Sequence, residues 1–332
     1  MRPARVLALF AACLGLASTA AQAQSSSAGA AAWPSKPITI VVPFPPGGGP
    51  DLFARILGEK LPPRLGQPVI VENKPGVGGL AGANAVAKSA PDGQTFLIAP
   101  NTIAISPHVL SKGAGGGVDV LTDLMPVITP ASTPMILVVS PTLGVKSVKE
   151  LVALAKQKPG MPYASAGNGS PMHIAGELFR KAAGVDMQHV PFKGVAPSVV
   201  AVLGDQVQVL FVAMGGGISQ HLRSGKLIVL AVTEKNRTPL LPNVPTMAEL
   251  GFKGVETDAW YGVFAPTGTP AAVITRMNRE INAVLAMPDV RERMNQAGMD
   301  VRGGTAEAFG AEMREDFARY GRLVQEFGIK AD

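Results

Sequence analysis

The sequence predicts an α/β fold built on a mostly parallel sheet. The run Ile38 to Val42 is continuously apolar and rich in β-branched residues, which is typical of a strand covered on both faces. Segments with the helical period of apolar residues alternate with such runs, and glycine-rich turns join the two kinds of segment. The chain has 332 residues, 47% of them hydrophobic, which allows one large or two smaller domains.

The first half of the chain shows this alternation element by element. After the strand at 38–42, a helix is predicted from Asp51, and Pro62 with Pro63 ends it. A glycine turn at 76–79 leads into a second helix that runs through Val86. The remaining predicted strands are 69–71, 96–99, 136–139, 207–212 and 227–232.

Helix starts are marked in the second half. Ser147 and Glu150 form a capping box, in which each side chain can accept a hydrogen bond from the backbone at the helix start. Thr269 and Pro270 read as a cap residue and a proline in the first helical position. The last helix is predicted to carry an apolar face made of Phe309, Met313, Phe317 and Val324.

The first 32 residues predict export. Two arginines precede an apolar stretch that ends in Ala21-Gln22-Ala23, which is the pattern of a signal peptide (residues 1–23) cleaved after Ala23, and 24–32 read as a flexible leader. The only cysteine, Cys13, lies in this segment, so the mature chain would form no disulfide and no cysteine metal site. Acylation of Cys13 remains an alternative. No later apolar run is long enough to span a bilayer.

Three loops share one local architecture: a strand, a glycine-rich loop and a helix start. They are 47–49, 76–79 and 165–170. Unpaired N–H groups and the helix dipole favour an anion at such a place. Structural alternatives stay open, because Ser170 and Asp51 could simply cap helices and Trp260 could belong to the core rather than to a pocket wall.

Several other functions lack their motifs. The loops at 76–81 and 167–172 fall short of a dinucleotide fingerprint, and no phosphate-binding G-x-x-x-x-G-K-[ST] loop occurs. The four histidines show no metal-ligand spacing, and Ser170 has no G-x-S-x-G context of a hydrolase nucleophile. The net charge of +6 is spread over scattered residues, so nucleic acid is not favoured as a partner. The sequence predicts no metal, no cofactor and no enzymatic activity.

A family resemblance covers the chain from Trp33 to the C-terminus. The motifs that carry it include WPSKPITIVVPFPPGGGPD, YASAGNGSPMHIAGELF, HVPFKG, LPNVPTMAELG and WYGVFAPTGTP. In these the chain resembles the Bug family, the TctC-type periplasmic substrate-binding proteins of tripartite tricarboxylate transporters. The resemblance implies a type II periplasmic binding protein, in which two α/β domains are joined by a hinge of two crossing segments around a ligand cleft. Domain 1 would comprise 33–131 and 254–332, and domain 2 would comprise 132–253.

The resemblance also implies a function and a site. The protein would bind a small carboxylate in the periplasm, as a monomer, and deliver it to the membrane subunits of the transporter. A sensor for a membrane signalling partner is the alternative, and an exported α/β enzyme with a phosphate-binding glycine loop is a remote one. The predicted ligand-binding residues are Phe44, Gly47, Gly48, Gly49, Asp51, Asn101, Thr102, Ser165, Ala166, Gly167, Asn168, Gly169, Ser170, Met214 and Trp260.

Some positions depart from the family pattern. Pro50 stands where a threonine is common, and Phe192 replaces a common tyrosine. The stretch 212–217 lacks an aspartate that many members carry and that suits ligand amines, which weakens the case for an amino-acid ligand. The glycines at 47–49 are predicted to expose their N–H groups to a carboxylate, while Phe44 packs on the carbon skeleton of the ligand.

Overall fold

The computed structural model describes residues 33–330, apart from Lys112 and Gly216. The predicted signal peptide, its cleavage site, the leader and Cys13 lie outside these residues. The strands are β1 (Ile38–Val42), β2 (Val69–Asn73), β3 (Thr95–Pro100), β4 (Leu124–Thr133), β5 (Met135–Val139), β6 (Met161–Ser165), β7 (Met187–Pro191), β8 (Val209–Ala213), β9 (Ile228–Val232), β10 (Ala259–Pro266) and β11 (Asp300–Val301). The α-helices are α1 (Gly49–Lys60), α2 (Pro62–Leu65), α3 (Leu80–Ala87), α4 (Thr102–Val109), α5 (Val148–Gln157), α6 (Pro171–Ala183), α7 (Val195–Leu203), α8 (Ile218–Arg223), α9 (Ala271–Leu285), α10 (Pro288–Gln296) and α11 (Ala306–Phe327).

The strands form two sheets. The first has the order β11-β4-β10-β3-β1-β2, and the second has the order β7-β6-β8-β5-β9. The chain passes from the first sheet to the second at Pro134, between β4 and β5, and returns between β9 and β10. The α/β class is confirmed. The division into domains at 131/132 and 253/254 stays a prediction.

The prediction of a mostly parallel sheet was wrong. β1 is parallel to β2 and β3, and β6 is parallel to β7 and β8. β10 is antiparallel to β3 and β4, β11 is antiparallel to β4, and β5 is antiparallel to β8 and β9. β4 leads out of the first sheet and β10 leads back into it, so these neighbours run in opposite directions. An apolar run shows that a strand is buried but does not encode its direction.

The predicted cap at Ser147 and the alternative interpretation of Ser170 as a cap are confirmed, and the predicted cap at Thr269 is wrong. The Ser147 hydroxyl accepts a hydrogen bond from the Glu150 N–H, and the Ser170 hydroxyl accepts one from the His173 N–H. The Thr269 hydroxyl instead donates to the Pro266 carbonyl, because α9 begins at Ala271, one residue later than a cap at Thr269 requires.

The predicted helix and strand positions otherwise differ by a few residues. α1 begins at Gly49 rather than at Asp51. On α11, Phe309, Met313 and Val324 are buried, and Phe317 packs against them while partly exposed. Within the described part of the chain, none of the helices combines the length and the apolar character needed to cross a membrane.

Candidate ligand-binding site

A cavity of about 810 Å³ lies between loops that follow strands of both sheets. The first sheet contributes the loops after β1 and β3, and the second contributes the loops after β6, β7 and β8. Its size is in the upper part of the range usual for small-molecule pockets, roughly 300–1,000 Å³. Of the predicted site residues, those that line it are Phe44, Gly47, Gly48, Gly49, Asn101, Thr102, Ala166, Asn168, Gly169, Ser170 and Met214.

Four helices begin at this cavity, two from each side. They are α1 and α4 after strands of the first sheet, and α6 and α7 after strands of the second. The N–H groups in the first turn of a helix have no partner within the helix, and the helix dipole adds a partial positive charge there. The four helix starts therefore surround the cavity with groups that favour an anion.

Charged side chains are almost absent from the cavity. Among the described lining residues, only Lys193 carries a charge, and none is an aspartate or glutamate. Lys193 is exposed, and no ion pair among the described residues involves it. Lys193 was not among the predicted site residues, although it stands in the HVPFKG motif. Among the described lining residues, no negative side chain would therefore repel an anion, and one positive side chain would attract it.

Asp51 lies behind the first glycine loop and does not line the cavity. Its carboxylate accepts hydrogen bonds from the Gly47 N–H at 3.0 Å, the Arg55 guanidinium at 2.9 Å and the Asn73 amide at 3.0 Å. Burial acts to raise the pKa of Asp51, but these hydrogen bonds outweigh it and hold the pKa below its ordinary value. The contact of Asp51 with a ligand stays a prediction. Asp51 fixes Gly47 and leaves the N–H groups of Gly48 and Gly49 at the loop tip.

Tyr261 lines the cavity where Trp260 was predicted. On β10, Trp260, Gly262 and Phe264 all face Phe309 of α11, so Tyr261 faces the opposite side. The Trp260 indole donates instead to Asp316 at 2.6 Å. The period of two in β10 shows that these neighbours face opposite sides, but only the packing of α11 shows which side is the cavity.

Tyr261 also explains why Gly49 is a glycine. A side chain at position 49 would collide with the Tyr261 phenol oxygen, so the backbone of α1 reaches the phenol directly. This oxygen accepts a hydrogen bond from the Thr133 hydroxyl at 2.9 Å, which leaves the phenol proton to be donated elsewhere. Burial raises the pKa of Tyr261, so the phenol keeps that proton. The start of α1 and the phenol together place hydrogen-bond donors at one end of the cavity.

The 165–170 loop is held from below by a serine and two histidines. The Ser165 hydroxyl lies 2.6 Å from His189 Nε2 and accepts from the Gly167 N–H at 3.1 Å. The Gly169 N–H donates to His173 Nδ1 at 3.2 Å, and the His173 and His189 rings stack with 3.6 Å between centroids. Ser165 and Gly167 therefore shape the loop and do not line the cavity.

His173 must be neutral to accept the Gly169 hydrogen bond. Burial, aided by His189 and Arg180, lowers the pKa of His173 to about 3, so the ring stays neutral at ordinary pH. The Gly169 N–H is used within the loop, and Ser170 serves as the cap of α6. The side chain of Asn168 makes no hydrogen bond to the described residues, which makes it the polar group of this loop most available to a ligand.

Asn101 lines the cavity, but its side-chain N–H groups donate to other residues of the protein. Its amide nitrogen donates to the Asp258 carbonyl at 2.9 Å and to the Tyr320 hydroxyl at 3.2 Å, while its side-chain oxygen has no partner among the described residues. Asn101 thus ties the start of α4 to β10 and α11. The N–H groups and the Thr102 hydroxyl at that start are the donors that remain.

Two smaller cavities, of about 470 and 460 Å³, adjoin each other around Arg302. The first is lined by more acidic than basic side chains, among them Asp258, Glu312 and Asp316. The second is lined by equal numbers of the two, with the acidic Glu234, Glu256, Asp258 and Asp300 and the basic Lys235, Arg237, Arg302 and Arg319. Throughout the part of the chain that the structure describes, no group of three or more histidine, cysteine, aspartate or glutamate side chains is placed to hold a metal ion.

Residues 53–329 match the model of a family described as the tripartite tricarboxylate transporter family receptor, TctC. The chain belongs to the TctC family. It is 36% identical to the protein BugT of Bordetella pertussis over 99% of each chain. The Bug and TctC assignment made from the sequence motifs is thereby confirmed.

Solved structures of TctC and Bug proteins share the fold. An R. palustris protein with adipate gives a TM-score of 0.81 at 32% identity, covering 90% of this chain and all of that one. MatC from Rhodopseudomonas palustris with bound malate gives a TM-score of 0.76 at 29% identity, covering 88% of this chain and all of that one. The predicted type II binding-protein fold, with two α/β domains, a hinge of two crossing segments and a cleft between the domains, is confirmed.

Proposed function

We propose that this protein captures a small carboxylate in the cavity between its two sheets and delivers it to the membrane subunits of a tripartite transporter. The observation that carries the proposal is the convergence of four helix starts on a cavity without any acidic side chain among its described lining residues. Adipate and malate in the structures of two relatives support a carboxylate as the ligand class.

The available donors are adequate without an arginine. Burying an unpaired carboxylate costs several kcal/mol, and each hydrogen bond to a charged group contributes roughly 1.5–3 kcal/mol. The candidates are the Gly48 and Gly49 N–H groups, the Asn168 amide and the hydroxyls of Thr102, Ser170 and Tyr261. Four such bonds would contribute roughly 6–12 kcal/mol, which offsets the burial, and apolar contacts with the cavity wall would add to the about 8 kcal/mol that micromolar affinity requires.

Binding rather than catalysis is part of the proposal. No histidine, aspartate or glutamate lies among the described residues of the cavity wall, and the His173 ring on the helix capped by Ser170 accepts a hydrogen bond from the Gly169 N–H rather than from the Ser170 hydroxyl. We further propose that the ligand lies between domain 1 (33–131 and 254–332) and domain 2 (132–253). We also propose that the protein acts as a monomer in the periplasm, after the signal peptide is cleaved behind Ala23.

Isothermal titration calorimetry of the mature protein with a panel of carboxylates tests the binding. Saturable binding of one acid, with the acid recovered unchanged by NMR, is the expected result. Conversion of the acid into a product would contradict it, as would binding of phosphate esters without binding of any carboxylate.

A deletion strain separates delivery from sensing. If the protein delivers the ligand, uptake of that acid is lost in the strain and returns with the wild-type gene. Normal uptake together with a lost transcriptional response would instead support the sensor.

A further inference from the structure

Away from the helix starts, most of the side chains that line the cavity are apolar, with Ser106 and Tyr261 as exceptions. Its apolar side chains come from both sheets, with Phe44, Val109 and Leu110 on the side of the first and Met172, Val195 and Met214 on the side of the second. Most of the polar groups are therefore gathered where the helices begin, and the space between them is bounded mainly by hydrocarbon and thioether groups. A ligand that fills this space must present apolar surface to it.

The two methionines bound this space from the side of the second sheet. Met172 lies in the first turn of α6, and Met214 follows β8, with 8% and 5% of their surfaces exposed. Methionine side chains are flexible and polarizable, so they adapt to the outline of an apolar body. Met214 also stands in the stretch 212–217, which contains no aspartate, so that stretch offers no carboxylate side chain to a ligand amine.

The two sides of the cavity approach each other closely at one point. A Cβ atom added to Gly169 would lie 2.7 Å from a methyl group of Val109, so the glycine loop after β6 rests directly on an apolar side chain of α4. Near this contact the cavity is lined by Val109 and Leu110 from the side of the first sheet and by Met172 from the side of the second. With about 810 Å³ available, there is space for more than a compact diacid.

We propose that the ligand is a carboxylate with an apolar body of six or more carbons, and that Met172 and Met214 determine this specificity. The inference rests on the proposed capture of a carboxylate and narrows its substrate class. A compact four-carbon diacid would satisfy the helix starts but would leave the apolar wall in contact with water. Each additional methylene buried against that wall is expected to strengthen binding by about four-fold.

The test is a titration of the mature protein with succinate, adipate and suberate, which keep two carboxylates while the chain grows from four to eight carbons. We expect suberate to bind at least ten-fold more tightly than succinate, with adipate between them. Met214→Gln is expected to weaken suberate binding about ten-fold and succinate binding less than about three-fold. Met214→Leu, which keeps an apolar side chain of similar size, should retain the wild-type preference.

Each outcome is decisive. Succinate binding as tightly as suberate, or Met214→Gln weakening both acids equally, would overturn the inference and leave the proposed carboxylate capture intact. Failure of all three acids and of aromatic acids to bind would overturn the capture itself. Thermal unfolding of each variant verifies its fold, and Met172→Gln repeats the comparison if Met214→Gln does not fold.

Discussion

The large cavity and the two small cavities around Arg302 show what a helix start does and does not provide. α11 begins beside one of the small cavities, where the Thr305 hydroxyl accepts from the Ala308 N–H. Glu312, Glu315 and Asp316 line the same cavity, so their negative charge offsets the dipole. The large cavity has four helix starts and no described carboxylate. A helix start thus favours an anion only where acidic side chains are kept away.

The partly buried carboxylates Glu234 and Asp258, close to Arg302, have raised pKa values. Burial, then Asp300 and Asp258, raises the pKa of Glu234 to about 8. Burial, then Asp316, raises the pKa of Asp258 to about 6, although Arg302 opposes the shift. Further negative charge is therefore disfavoured beside Glu234 and Asp258, although basic side chains also line the second small cavity, so an organic anion is expected to prefer the large cavity.

The largest expected effect comes from giving the large cavity the character of the small ones. Asn168→Asp places a carboxylate of nearly the same shape in the glycine loop. At about 5 Å from a bound carboxylate and an effective dielectric constant of about 20, the repulsion is about 3 kcal/mol, so affinity should fall about 100-fold. Calorimetry measures the loss. Asp300→Asn, which changes one charge beside Arg302, is the control and should leave affinity within about three-fold.

A smaller loss is expected from removing one donor at the far end of the cavity. Tyr261→Phe deletes the phenol hydroxyl while keeping the ring against Gly49, so carboxylate affinity should fall about ten-fold. Thr133→Val removes the partner of that hydroxyl but leaves its proton available, and it should cost less. Equal losses in the two variants, measured by titration, would show that the Thr133–Tyr261 hydrogen bond matters rather than a contact with the ligand.

The pH dependence of stability distinguishes the acidic region. The pKa of Glu234 is about 8 in the folded protein and near 4.5 when exposed, so folding takes up a proton between these values. Stability therefore rises as the pH falls from about 8 towards 4.5, and above pH 8 the buried charge is a cost. Glu234→Gln removes that cost. It should melt a few degrees above the wild type at pH 9, and the difference should shrink towards pH 5.

Thermal unfolding at the two pH values measures this effect. Glu249→Gln changes an exposed carboxylate paired with Arg237, and its effect on the melting temperature should not grow with pH in this way. A Glu234→Gln protein that follows the pH dependence of the wild type would show that Glu234 is not the group responsible.

The contrast between the regions also shows which features a sequence can predict. The strand at 38–42 and the caps Ser147 and Ser170 depend on neighbours within a few residues, and the structure confirms them. The glycine loops follow from strands and helix starts that are adjacent in the chain, so their place at the cavity could be expected. Local chemistry of this kind is encoded in short segments.

Other features depend on partners far along the chain. The Asp51 carboxylate accepts a hydrogen bond from the Asn73 amide, 22 residues later, and the Ser165 hydroxyl lies against His189, 24 residues later. Whether Trp260 or Tyr261 faces the cavity is decided by the packing of α11 on β10. These contacts cannot be predicted from the spacing of residues within a single segment. Lys193 likewise reaches the cavity wall only when the two sheets are assembled.

The smallest expected effect concerns Lys193, the one charged residue among the described lining of the large cavity. Because this side chain is exposed, its attraction to an anion is screened, and Lys193→Gln should weaken binding only about two- to five-fold at low salt. Lys226→Gln makes the same change of net charge on an exposed side chain outside the cavity wall, so it isolates the effect of position. If both variants bind alike at low salt, the helix starts alone hold the charge of the ligand. If only Lys193→Gln loses affinity, and the loss vanishes at about 0.5 M salt, Lys193 attracts the anionic ligand over a long range. The acidic region around Arg302 is not expected to attract an anion in this way.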